Sequence, residues 1–305
     1  MQYCIKTEGL TKRYGSKLAL RDFTLKIGQG GIHAIVGSNG AGKSTLFRLL
    51  LGMATPTAGS AELLGADSRD LPVEVRGRVG YVNEEHTLPL WMKAREITSH
   101  QRSFYPKWNQ AVYDSVIGYF DVDQNQRVAG LSRGERAGLN LSMALAQSPE
   151  LLILDEPTLG LDVVARQSFL EALMFTETEA STTIIYCSHQ MEEIERVADQ
   201  LIIMERGSLM NNSSPDAFVE RVSSWVAAFP AGLPDRGSIP GFLSARNIEG
   251  QHHILVADQG DNFGDFLKTS GASAVARNPV NLERAVNAFL SKNHSAPQNN
   301  APQNT

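Results

Sequence analysis

Up to residue 214 the chain alternates short unbroken apolar runs with stretches whose apolar residues recur every three or four positions. Continuous apolar runs of four or five residues suit strands buried on both faces, and the pattern between them suits crossover helices. Such runs fall at Ile32–Val36, Val79–Val82, 151–154, 184–187 and 201–204. Together they predict an α/β domain built on a largely parallel sheet. Ahead of them, 3–7 and 18–27 read as antiparallel strands at the domain's edge. Between about 85 and 147 the pattern turns helical and β-runs become scarce, which predicts an inserted helical subdomain.

The character changes near residue 211. The run Asn-Asn-Ser-Ser-Pro at 211–215 reads as turn chemistry, which sets a domain of residues 1–214 against a second one at 215–291. In the second, strands around 224–229 and 253–257 precede a helix. Leu282, Ala285, Val286, Phe289 and Leu290 share one face of it, and Asn281 stands as its N-cap. This predicts a small C-terminal α+β domain. The tail, 292–305, is rich in Asn, Gln and Pro and reads as disordered.

Composition narrows the function classes. With 42% hydrophobic and 20% charged residues, the chain of 305 has the make-up of a globular protein able to bury a sizeable core. A net charge of −5 offers no footprint for nucleic acid, so no nucleic-acid partner is expected. No apolar run is long enough to span a bilayer, and the N-terminus lacks a secretory signal. Cys4 and Cys187 form neither a disulfide framework nor a zinc spacing, so a cytoplasmic location is expected. His252 and His253 are adjacent on an extended segment and point to opposite faces, which argues against a metal site.

Residues 37–45 read Gly-Ser-Asn-Gly-Ala-Gly-Lys-Ser-Thr, directly after the strand Ile32–Val36. This is the Walker A pattern. Gly37, Gly40 and Gly42 let the backbone of Ser38, Asn39 and Ala41 fold into a nest of N–H groups facing phosphate oxygens. The helix that follows adds the positive end of its dipole, and Thr45 lies in its first turn. Lys43 reaches the terminal phosphates as a point charge, and the Ser44 hydroxyl suits Mg²⁺. The second half is Leu-Leu-Ile-Leu-Asp-Glu-Pro at 151–157, which delivers Asp155 and Glu156 at the carboxyl end of a buried strand. Asp155 suits the Mg²⁺ shell; Glu156 suits orientation and deprotonation of a water. An Asp-Glu pair after a strand is often only a solvated turn, so its weight comes from standing with the first motif.

Many phosphate-loop enzymes share those motifs. Residues 131–135, Leu-Ser-Arg-Gly-Glu, separate them: they resemble the signature of the ABC ATPases, usually Leu-Ser-Gly-Gly-Gln, with Arg133 and Glu135 substituted and Ser132 and Gly134 kept. The same residues read as a capping box that opens a helix, and the two readings are compatible. Leu-Gly-Leu-Asp at 159–162 matches the loop after Walker B and adds Asp162. His189 resembles the switch histidine, and Tyr14 the aromatic residue that stacks on adenine. Glu84 stands where the family usually has glutamine; its carboxylate can approach Mg²⁺ but cannot donate a hydrogen bond.

The resemblance covers about the first 210 residues, with FYPKWN at 104–109 most similar to single-domain ATPases of ABC-2-type exporters. It implies a RecA-like phosphate-loop core with an antiparallel β edge. It also implies an ATPase that uses ATP and Mg²⁺ and pairs head to tail with a second ATPase subunit, identical or paralogous. Ser132 and Gly134 then act on the partner's nucleotide, and the dimer drives a separate membrane permease from the inner face of the membrane. The rivals are a non-transport ABC ATPase, an ATP-sensing module and a phosphate-loop kinase. Lys43→Ala is expected to lose most ATP affinity and turnover with the fold intact. An unchanged ATPase rate in that variant would remove the phosphate-site assignment.

Overall fold

The computed structural model describes residues 3–179 and 182–294, which divide between Asn212 and Ser213 into two compact units. In the first, β1 (Ile5–Tyr14) and β2 (Lys17–Ile27) form an antiparallel hairpin. β3 (Ile32–Val36) runs through the glycine loop into α1 (Lys43–Leu50). β4 (Ala58–Leu63) and β5 (Ala66–Asp67) return beside β1, giving a sheet of order β2-β1-β4-β5. After the short α2 (Val73–Arg76), β6 (Val79–Val82) enters the main sheet. The inserted helices α3 (Ala94–Phe104), α4 (Gln110–Ile117) and α5 (Arg133–Ala146) follow, packed around Ile97, Tyr113, Val128, Leu139 and Met143. Then come β7 (Leu151–Asp155), α6 (Val163–Glu179), β8 (Thr183–Cys187), α7 (Met191–Val197), β9 (Gln200–Glu205) and β10 (Ser208–Ser213).

The main sheet has the order β10-β9-β3-β8-β7-β6, and its strands from β9 to β6 are parallel. Successive residues of the central strands feed two cores. Leu151, Ile153 and Ile185 pack with Leu46, Phe47 and Leu49 of α1. Leu152, Leu154 and Ile184 pack on the other face with Leu141 of α5 and Phe169 of α6. Each fully buried Leu or Ile contributes about 1.5–3 kcal/mol of transfer free energy, so strands apolar on both faces take the centre of the sheet.

The second unit opens with α8 (Pro215–Glu220) and β11 (Val222–Ala228). β12 (Phe242–Ile248), β13 (Gln251–Ala257), α9 (Phe263–Thr269), β14 (Ala274–Asn278) and α10 (Leu282–His294) complete it. Its antiparallel sheet has the order β12-β13-β11-β14, and Trp225, Ile254, Val256, Phe263 and Leu267 lie at the centre of one apolar cluster. Asn281 accepts from the Arg284 N–H at 3.0 Å, as expected of an N-cap.

Four sequence expectations need correction. The first strand does not stop at residue 7 but continues to Tyr14, with register shifts that carry it past Gly9. β4 and β5 went unread because the segment Ala-Gly-Ser-Ala-Glu-Leu has few β-branched residues, and it joins the sheet by pairing with β1. The run at 211–215 is not a free turn. Its asparagines and Ser213 finish β10, Asn211 donates to the Leu201 carbonyl at 3.1 Å, and Ser214 caps α8 by accepting from the Ala217 N–H at 3.2 Å. The expected disordered tail does not begin at 292, because α10 runs on to His294; from residue 295 on it lies outside the described residues.

A chain ending at Ser214 keeps β10 whole and retains every nucleotide motif. It is expected to stay folded and to bind a fluorescent ATP analogue with affinity within about threefold of the full chain. Loss of binding on truncation would show that the first unit does not stand alone.

Candidate functional site

The phosphate loop is shaped by how closely it approaches β9 and β2. A Cβ added at Gly37 would lie 2.2 Å from the Met204 carbonyl, and one at Gly42 (φ 107°) would lie 2.6 Å from the Ala19 carbonyl. Neither position admits a side chain. Within the loop, the Ala41 N–H donates to the Ser38 carbonyl at 2.9 Å and the Gly207 N–H to the Ala41 carbonyl at 2.9 Å. Ser38 turns its hydroxyl away to Glu205 at 2.9 Å. At the start of α1, Gly42 brings no capping side chain and the first turn holds no acidic residue. The N–H groups there are left for an anion. Lys43 folds back and donates to the Gly37 carbonyl at 2.7 Å.

Around this loop lies a cleft of about 230 Å³, lined by residues 39–45, Lys17, Ala19, Glu84, Asp155 and Glu156. Burial raises the Asp155 carboxyl above its ordinary range. Glu156 beside it adds to the shift, Lys43 opposes it, and Glu84 raises it further. The donors at the cleft are oxygens, the set a hard divalent cation takes. Among the described residues no three of His, Cys, Asp and Glu converge closely enough to hold a metal by themselves. A cation here would therefore need Ser44 and the ligand's own oxygens.

Glu156 sits just past β7 with φ 51°, a left-handed backbone that costs a non-glycine residue roughly 1–2 kcal/mol. Its carboxylate is met from two sides. His189 Nδ1 lies 2.8 Å from one oxygen and the Cys187 thiol donates to the other at 3.8 Å. His189, just past β8, is itself exposed.

The other expected site residues stand outside the cleft lining. The capping box at the start of α5 is present: Ser132 Oγ accepts from the Glu135 N–H at 3.1 Å, and Glu135 accepts from the Ser132 N–H at 2.7 Å. Because Ser132 Oγ accepts there, its own O–H remains a donor. Gly134 packs against Ala165. Asp162 caps α6 by accepting from the Ala165 N–H at 2.9 Å. Tyr14 ends β1, exposed, with the Lys12 ammonium 4.8 Å from its ring centre. Arg133, in place of the usual glycine, lies over Gly160 and donates to the Glu84 carbonyl at 3.3 Å.

Three residues of the site carried no motif. Cys187 ends β8 opposite Asp155, and burial, with Glu156 next, pushes its thiol far up and keeps it neutral. Tyr81 on β6 is pushed up to about 12 by burial, with Asp155 adding to the shift. His86, buried and at φ 47°, has Nε2 2.8 Å from the Pro157 carbonyl. The signal available for Cys187 was register alone: it precedes the Ser188-His189 pair on the strand beside 151–154. His86 offered none, since its burial depends on the loop's path.

A family model described as ABC transporter matches residues 20–159. The chain is 34% identical over 251 residues to the Nod factor export ATP-binding protein I of Rhizobium johnstonii, covering 80% of each chain. The protein of the same name from Rhizobium meliloti is 31% identical over 287 residues, 92% of this chain and 85% of that one. Among solved structures, an ATP binding subunit of an ABC transporter aligns with a TM-score of 0.64 at 24% identity, over 71% of this chain and 92% of that one. An ATP-binding cassette in a dimeric post-hydrolysis state, bound to ADP and Pi, aligns with a TM-score of 0.60 at 21% identity, over 69% and 98% of the two chains. These two show the same fold.

His86 gives the site a pH dependence. Burial lowers its pKa to about 4, and the nearby Arg133 and Arg136 also act against protonation; the backbone bond to Pro157 works the other way. A second proton would sit on buried Nδ1, which has no hydrogen-bond partner. The unfolded chain takes up that proton below a pH of about 6.5 and the folded chain only near 4, so stability is lost as pH falls through that window. From pH 7.5 to pH 5 the wild type is expected to lose about 2 kcal/mol more than His86→Gln in urea unfolding. Equal losses would place His86 in a wetter setting.

Proposed function

The chain belongs to the family of ABC transporter ATP-binding subunits, and on that premise we propose how its residues divide the work of hydrolysis and transport. As a member it binds and hydrolyses ATP for an ABC transporter. One observation carries the division of labour. Residues 39–45, Glu84, Asp155 and Glu156 line a single cleft that Ser132 and Gly134 of the same chain do not line. In the head-to-tail pairing that the family resemblance implies, those two residues reach the phosphates from a second subunit.

In this reading the loop N–H groups and Lys43 hold the β- and γ-phosphates, and Tyr14 takes the adenine face. Ser44, Asp155 and Glu84 hold Mg²⁺, which fits an oxygen-rich cleft whose acidic side chains outnumber its lysines near Asp155. When bound, the cation neutralises phosphate charge that builds up during transfer. Glu156 orients the attacking water and draws its proton. His189 keeps the Glu156 carboxylate aimed, supported by their 2.8 Å contact. From the partner, Ser132 donates its O–H to the γ-phosphate and Gly134 lets the helix N-terminus come close. Asp162 holds the start of α6 at the dimer seam. Phosphoryl transfer needs positioned charge more than covalent chemistry, and all these groups are polar or charged.

Among the described residues no helix is long and apolar enough to cross a membrane. Family membership is what supports a separate permease as the pathway for cargo. The inserted helical layer passes closure of the dimer to that permease at the inner face of the membrane. The rhizobial relatives are export ATP-binding proteins, which supports export as the direction here.

Glu156→Gln keeps side-chain size but removes the basic carboxylate. Hydrolysis is expected to fall at least about a hundredfold, the usual worth of a positioned base. ATP stays bound, so the variant should elute as a dimer in size-exclusion chromatography with Mg-ATP and as a monomer without it. Normal turnover would take Glu156 out of catalysis. A variant that remains a monomer at saturating ATP would count against assembly through Ser132 and Gly134.

A further inference from the structure

A second carboxylate stands behind the hydrolytic pair, and it does not touch the cleft. Glu193 on α7 is 3% exposed. Burying a carboxylate in a core is costly unless it is fully partnered. Its Oε2 accepts three hydroxyls: Tyr186 at 2.6 Å, Ser188 at 2.8 Å and Thr158 at 2.9 Å. Its Oε1 lies 3.3 Å from Arg166 Nε, an ion pair without hydrogen-bond geometry. These partners come from β8, the loops after β8 and β7, and α6. A leucine would fill the same space without so many polar contacts, so the carboxylate specifies geometry.

The geometry it specifies is that of Glu156 and His189. Thr158 lies two residues beyond Glu156, in the turn where the Leu159 N–H donates to the Glu156 carbonyl at 3.2 Å. Ser188 immediately precedes His189, and its Oγ also accepts from the Gln190 N–H at 3.1 Å, bracketing the histidine. Glu156 holds a left-handed backbone, which persists only where its surroundings enforce it. We propose that Glu193 is a positioning residue for ATP hydrolysis: by gathering the Thr158 and Ser188 hydroxyls on one oxygen, it fixes the two loops that carry Glu156 and His189. This rests on assigning hydrolysis to that pair.

Steady-state ATP hydrolysis by the full chain tests it, with Glu193→Ala, Glu193→Gln, Ser188→Ala and Glu156→Gln measured side by side. Glu193→Ala is expected to lower kcat at least about tenfold while KM for ATP stays within about twofold, since displacement of reacting groups acts on the chemical step. Glu193→Gln should recover part of that loss, because its amide oxygen can still accept from the Thr158 and Ser188 hydroxyls, while its NH2 faces Arg166 where a carboxylate oxygen stood. Ser188→Ala should give an intermediate kcat at unchanged KM, and it carries the test if Glu193→Ala does not fold. Wild-type kcat in Glu193→Ala or Ser188→Ala overturns the proposal. So does a fall in kcat that only tracks weaker ATP binding and a lower unfolding midpoint. Should Glu156→Gln turn over normally, the assignment of the pair fails first and takes this inference with it. A dead Glu156→Gln beside an unimpaired Glu193→Ala removes the inference alone.

Discussion

Parallel register is the constraint on which the site rests. β7 pairs with β8 so that Asp155 faces Cys187, and β8 pairs with β3 so that Cys187 faces Ile35. Three neighbouring strands thus end at one level, roughly 4.8 Å apart. The residues that follow them are Gly37 and its loop, Ser188 with His189, and Glu156. Once the strands align, the loops that carry these groups start from neighbouring points. Alignment follows from burial, because each central strand is apolar on both faces and feeds two cores at once. A strand misplaced by one position would shift each chemical group by over 3 Å, well beyond what hydrogen bonding tolerates.

Strand alignment also concentrates charge of one sign. Asp155 and Glu156 stand together at the end of β7 with Glu84 nearby, and Lys43 is the cation that opposes them at Asp155. The groups behind them are kept neutral: the Cys187 thiol and Tyr81 phenol by raised pKa values, the His86 imidazole by a lowered one, in each case chiefly through burial. Neutral donors can hold a carboxylate without cancelling it, so its charge remains for a cation or a water's proton. The cost of that arrangement is tolerable because the cleft faces solvent.

Legibility in the sequence follows the same division. The central strands were readable because their apolar runs have no other use, and the phosphate loop because Gly37 and Gly42 permit no side chain. Ser132 was legible as a cap, the role its hydroxyl fills at the start of α5. What stayed hidden depends on contacts distant in sequence. β4 is a strand because β1 lies beside it, and Glu193 gathers hydroxyls from Thr158 and Tyr186, residues 35 and 7 positions away. A lone buried glutamate on a short helix has no signature in composition or period. The boundary run at 211–215 misled for a related reason: Asn and Ser favour turns locally, but Asn211 is claimed by the Leu201 carbonyl across β9.

Arg133 shows how a departure from the common motif can be absorbed. At the first position of α5 an arginine meets no backbone obstacle, because that residue has an ordinary right-handed conformation. Its guanidinium covers Gly160, lying 2.8 Å from where a Cβ would stand. It then reaches the Glu84 carbonyl. The loops bearing Glu84, Ser132 and Asp162 are thereby joined within one chain by a single cation. A glycine at that position could make neither contact, so the substitution adds a link between loops that the common motif lacks.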